Sequence, residues 1–203
     1  MSIREKITSV LIALGLLLVI LPGAGDYTLS VDPGELVASL SGDDYYVSVD
    51  RVAAWVVRED STVQLIDLRS REEFAESNIP GSINVPFESF FEMKPERWLH
   101  NRDMNYIFYS NGETDSGYAV VLARGLGYMN TRLMAGGLNE WFEKIMNSSF
   151  SGDRITPAEN ALFETRFRAR RFYTEINSLP DSLKQQYAES RRQAERSLDG
   201  GCD

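Results

Sequence analysis

The stretch YIFYSNGETDSGY, from Tyr106 to Tyr118, constrains this chain more than any other. Ile107, Phe108 and Tyr109 form a β-branched and aromatic run suited to a central strand, Asn111-Gly112 supplies a turn, and helical periodicity resumes from Ala119 to Leu126. A strand that breaks so abruptly into a helix aims backbone N–H groups, and the positive end of the helix, at one point. An anion or a nucleophile's developing charge can rest there. Ser110 stands at the strand end, with Glu113 and Asp115 in the loop.

The same rhythm runs upstream. Tyr45 to Val49 alternates as a strand, Val52, Trp55 and Val56 have helical spacing, and Val63 to Ile66 reads as a second strand. A short helix through Glu72–Phe74, a Pro80-Gly81 turn and a strand at Ile83–Val85 follow. Strands alternating with helices predict an α/β fold with a mostly parallel sheet covered on both faces.

Charge is unevenly distributed. Residues 26–150 carry ten basic and twenty acidic side chains, whereas 151–203 carry nine of each. A domain this acidic repels phosphate backbones, so no nucleic-acid partner is expected. At the N-terminus, Arg4 and Lys6 precede nineteen uncharged residues from Ile7 to Gly25. That length just spans a bilayer as a helix, although the strongly apolar part, Val10–Leu21, is short and signal-like. Either reading, an uncleaved anchor or a signal cut near Pro22–Gly25, carries the remainder across the membrane, and the flanking charges put the N-terminus in the cytoplasm. The sole cysteine, Cys202, cannot form an intramolecular disulfide.

The string LIDLRSREEFAESNIPGSINVPF, from Leu65 to Phe87, resembles the signature of rhodanese-like sulfurtransferase domains. LMAGGLNEW, from Leu133 to Trp141, is similar to the block that closes that domain. Ser77-Asn78 departs from the family's usual Gly-His. The resemblance implies a three-layer sandwich with about five strands over residues 45–146. Residues 1–25 are then an anchor or signal, 26–44 a linker with a short helix at Glu35–Leu40, and 147–203 a helical extension.

The resemblance also implies that sulfur chemistry belongs to a strand-end cysteine, with an arginine closing the loop. Here the loop runs Ser110-Asn111-Gly112-Glu113-Thr114-Asp115, with Ser110 at the cysteine position and Asp115 at the arginine position. A serine oxygen cannot carry a sulfane sulfur as a persulfide, which needs a polarisable thiolate. Glu113 and Asp115 are expected to repel a thiosulfate-like anion that the missing arginine would attract. Asp67 and Arg69, at the end of a predicted strand, are read as supporting residues: Asp67 caps local backbone, and Arg69 pairs with an acid such as Glu73. Trp141 is expected in the core.

Other chemistries find little support. The lone His100 lies in a polar connector ten residues before Ser110, and aspartate alone is a weak base for a serine nucleophile. Glu113, Asp115 and Asp67 have scattered spacing for a cation site, so neither metal nor cofactor is expected. In the tail, Thr156-Pro157 opens a helix containing Leu162, Phe163, Phe167, Tyr173 and Ile176 among Arg166–Arg171. Leu179-Pro180 breaks it, and a polar helix runs from Asp181 to Leu198. This hairpin is expected to lie against the acidic domain, with a protein partner as the alternative use.

The expectation is therefore a membrane-tethered, extracytoplasmic and catalytically silent module, on the periplasmic face of a bacterial inner membrane or released by signal cleavage. An active sulfurtransferase is the competitor. Carbonate washing tests the tether: an uncleaved anchor stays in the membrane fraction with residue 1 or 2 at its N-terminus. A soluble species beginning near Asp26 marks a cleaved signal.

Overall fold

The computed structural model describes Asp32, Gly34 and residues 44–90, 97–149 and 156–199. The apolar segment, the helix at Glu35–Leu40 and Cys202 lie outside these residues. Among the described residues no helix is long and apolar enough to cross a membrane.

Five parallel strands form one sheet in the order β1-β5-β4-β2-β3. They are β1 (Tyr46–Val47), β2 (Val63–Asp67), β3 (Ser82–Asn84), β4 (Asn105–Tyr109) and β5 (Thr131–Met134). Between them run α1 (Val49–Arg58), α2 (Arg71–Glu76), α3 (Phe87–Phe90) and α4 (Thr114–Gly125). After β5 come α5 (Gly137–Trp141), a π-helical turn over Phe142–Met146, and then α6 (Pro157–Asn177) and α7 (Asp181–Asp199). The helix after the Ser110 loop thus starts at Thr114, not Ala119, because the polar residues Thr114–Gly117 already form its first turn.

β4 is buried on both faces, and its side chains divide with period two. Ile107 and Tyr109 join a core with Val52, Val56, Leu65, Trp141 and Tyr173. Tyr106 and Phe108 join the opposite core with Ile66, Phe90, Trp98, Leu133 and Val120. In the second core Phe90, Trp98 and Phe108 meet at centroid distances of 4.5–6.0 Å, a spacing that favours edge-on aromatic contact. The connector before β4 is therefore not purely polar: Trp98 and Leu99 are buried, while His100 beside them is exposed.

The C-terminal hairpin lies on the domain. Thr156 and Glu159 cap α6 reciprocally, with Pro157 at its first position. Arg166 forms a two-pronged pair with Asp50 of α1, at 2.6 and 2.8 Å. Arg170 donates to the carbonyls of Met146 and Ser148, whereas Arg171 pairs within its own helix with Glu175. Asn177, at the end of α6, exchanges two hydrogen bonds with the backbone of Asn78, so the Ser77-Asn78 position is one of the points that tie the extension to the domain.

Trp141 and Phe108 are both fully buried, as their placement in strand and closing helix requires. Trp141→Ala should lower unfolding free energy by about 3–5 kcal/mol in chemical denaturation, whereas Ser110→Ala, which removes one hydroxyl and its hydrogen bond, should lower it by no more than about 1.5 kcal/mol. Equal tolerance of the two changes would break the assignment of Trp141 to the core.

Candidate functional site

The site forms at the carboxyl ends of β2 and β4, the edge of an open α/β sheet where ligands bind. A pocket of about 490 Å³ opens there, lined by Leu68–Glu73, by Pro86–Ser89 and by Ser110, Asn111 and Asp115.

Its base is set by Asp67. This fully buried carboxylate accepts from the Arg69 backbone N–H at 2.9 Å and from the Arg69 guanidinium at 2.6 to 3.2 Å. Arg69 also donates to the Ser77 carbonyl at 2.7 Å. Burial works against the guanidinium's charge, but the hydrogen bond and charge of Asp67 more than restore it, so its pKa lies above the ordinary arginine value. The expected Asp67 backbone cap is present, but Arg69 takes Asp67 as its partner and not Glu73. Two residues apart on a strand end, the carboxylate already lies within the guanidinium's reach, while Glu73 is committed elsewhere. It closes the capping box of α2 with Ser70 and accepts from Asn111 Nδ2 at 2.9 Å. The Asn111 and Ser70 hydrogen bonds hold the Glu73 carboxyl below its usual range. Asn84 completes the base, its amide bridging the carbonyls of Asp67 and Arg69.

The loop itself is clamped from behind. The Ser110 and Asn111 carbonyls accept from the N–H groups of Leu138 and Asn139 at 2.9 and 3.1 Å. Gly137, at φ 59°, is so close that a Cβ would sit 2.6–2.9 Å from the carbonyl oxygens of Ser110, Asn111 and Gly112. Among the described residues nothing accepts from the N–H groups of Asn111, Gly112 or Glu113, as a cradle for a ligand requires.

The six loop residues then part company. Ser110, Asn111 and Asp115 line the pocket, whereas Gly112, Glu113 and Thr114 do not. Glu113 turns back to accept from the Gly136 N–H at 2.6 Å. Asp115 accepts from the Ser110 hydroxyl at 3.2 Å, and Ser110 is only 5 % exposed. Asp67, Glu113 and Asp115, weighed above as a cation set, thus each have a different partner. His100 makes no hydrogen bond to Ser110 or Asp115 among the described residues. A serine beside a lone carboxylate can donate a hydrogen bond to a ligand, but it has no base to make it a strong nucleophile.

Sequence reasoning missed Asn84, Asn111 as a partner of Glu73, and the Glu113–Gly136 bond. Asn84 had a visible signal, since it sits within the Ile-Asn-Val-Pro block. The other two contacts join segments 38 and 23 residues apart, which periodicity cannot pair.

Residues 49–144 match the family model described as the rhodanese-like domain. A human thiosulfate:glutathione sulfurtransferase is 37% identical over 92 residues, which covers 40% of this chain and 80% of that protein. Its namesake from Saccharomyces cerevisiae is 31% identical over 110 residues, covering 49% of this chain and 75% of the relative. Among solved structures, a human single-domain sulfurtransferase is 32% identical, with a TM-score of 0.41 over 49% of this chain and 96% of that one. On the extent and identity of the two sequence relatives, the chain belongs to the family of rhodanese-like domains.

Proposed function

We propose that this protein is a catalytically silent rhodanese-like module, tethered through residues 7–25 on the extracytoplasmic side of a membrane, whose Ser110 pocket binds without transferring sulfur. One observation carries the reading: Ser110, at the position where the family resemblance implies a cysteine, hydrogen-bonds Asp115 at 3.2 Å, at the position where it implies an arginine. Both changes act in the same direction. The hydroxyl cannot accept a sulfane sulfur, and the carboxylate opposes an incoming anion. Glu113 adds little, being turned to Gly136. Arg69 does not replace the lost cation, because Asp67 neutralises it. A binding or scaffolding role suits such a pocket, and α6 and α7 offer further surface to a protein partner.

The second reading, an active sulfane-sulfur transferase, is favoured by the names of the human and yeast relatives. It requires Cys202 to serve in place of the strand-end thiol, and Cys202 lies outside the described residues. Thiosulfate-to-cyanide transfer by the wild type, lost on Cys202→Ser, would establish it.

A rate comparison of wild type, Ser110→Cys, Asp115→Arg and the double variant with thiosulfate separates the two substitutions. Ser110→Cys alone should remain near background, because Asp115 raises the new thiol's pKa and repels the donor despite help from the backbone amides. The double variant should exceed either single one. Full activity in Ser110→Cys alone would exclude Asp115 as a cause of silence. Inactivity in all four would mean that the loop amides no longer cradle an anion.

A further inference from the structure

The link between α2 and β3 joins the C-terminal extension to the Ser110 pocket through two peptide groups. In the first, between Ser77 and Asn78, the carbonyl accepts from Arg69 Nη2 at 2.7 Å and the N–H donates to Asn177 Oδ1 at 2.9 Å. In the second, between Asn78 and Ile79, the carbonyl accepts from Asn177 Nδ2 at 2.8 Å and the N–H donates to the Tyr109 hydroxyl at 3.3 Å. A peptide group is planar and stiff, so its two ends cannot turn separately. Each of these planes thus has one end on the Asn177 amide and the other on a side chain at the pocket.

Those two side chains matter to the site. Arg69 borders the pocket and is only 8% exposed, with Nε and Nη2 engaged while Nη1 makes no hydrogen bond among the described residues. Tyr109 is fully buried, directly precedes Ser110 and passes its own hydroxyl proton to Ser82 Oγ at 2.9 Å. The Asn177 amide is fixed in turn. Its Nδ2 also donates to the Tyr173 carbonyl, one turn back in α6, at 2.9 Å. The Tyr173 ring is buried against Trp141 and Phe142, at centroid distances of 6.3 and 5.8 Å.

We infer that Asn177 is a positioning residue of the Ser110 pocket, holding the Arg69 guanidinium and the Tyr109 hydroxyl in place through the two peptide planes that flank Asn78. Asn177 lies beyond residues 49–144, so the pocket of this chain is completed by a residue outside the rhodanese-like domain itself. This role concerns the geometry of Arg69 and Tyr109 and is the same whether the pocket is silent or transfers sulfur.

Nuclear magnetic resonance of the full chain in detergent micelles, with labelled arginine, tests it through the exchange of the Arg69 guanidinium protons with water. Asn177→Leu keeps the size of the side chain and removes both hydrogen bonds to Asn78. Exchange at Arg69 should then accelerate at least about tenfold, as loss of a charge-assisted hydrogen bond implies. Asn177→Ala, which introduces no larger apolar group, should give the same rise. Arg166→Met removes a different tie of the same helix, the pair with Asp50, and leaves Asn177 in place. It should keep Arg69 exchange within about twofold of the wild type, as expected of a separate site. Unchanged exchange in the Asn177 variants would overturn the assignment. An equal rise in Arg166→Met would do the same, since Asn177 would then act only by holding α6 down. Unfolding of both Asn177 variants, read as loss of near-ultraviolet circular dichroism, would also overturn it, making Asn177 a residue of overall stability.

Discussion

The contact on which the site depends is the approach of the Ser110 loop to the start of α5. Three consecutive loop carbonyls, those of Ser110, Asn111 and Gly112, face Gly137, and the first two accept from the N–H groups of Leu138 and Asn139. Only glycine fits, since a Cβ would collide with all three oxygens and the backbone there is left-handed. Fixing these carbonyls against α5 holds the loop backbone in one course at the pocket's edge. Glu113 reinforces the clamp by accepting from Gly136. The loop backbone is therefore held independently of the side chain at position 110, and the charges around the pocket are those of Arg69, Arg71, Glu72, Glu73, Glu88 and Asp115.

Arg69 could have balanced Asp115, but the buried pair with Asp67 commits it. Removing one member of such a pair strands the other charge away from water, at a cost of about 3–5 kcal/mol. The guanidinium also donates to the Ser77 carbonyl, and the Asn84 amide ties the backbone carbonyls of Asp67 and Arg69 together beneath the pair. Glu73 is committed likewise, to Ser70 and Asn111. The pocket floor is thus a closed polar network, and the Ser110–Asp115 hydrogen bond stands at its edge.

The C-terminal extension changes what the domain presents. β3 would otherwise be an exposed sheet edge with unpaired backbone groups, and edges of that kind invite pairing with other chains. The hairpin covers it in part, held by Asn177 on Asn78 and by Arg166 on Asp50. The covering is incomplete, and the groove beneath α7 is the space left between a polar helix and the apolar residues of α2 and β3.

By itself the sequence determined the α/β class, the strand–loop–helix at Ser110, the core position of Trp141 and the limits of the two C-terminal helices. Each is a local matter: side-chain periodicity, a Pro-Gly turn, a Thr-Pro helix start, or a motif contained within about two dozen residues. It also exposed the chemical identity of Ser110 and Asp115. Only the tertiary structure decided which charges meet. Glu113 and Asp115 are equivalent in composition and two residues apart, yet the start of α4 sends one to Gly136 behind the loop and the other to Ser110 in the pocket. Arg69 chose Asp67 over Glu73 because Asn111, 38 residues from Glu73, takes up that carboxylate. The separation of the pocket from the groove by α2 likewise depends on segments far apart in the chain. Partner choice of this kind depends on distances across the fold, which no pattern along the chain encodes.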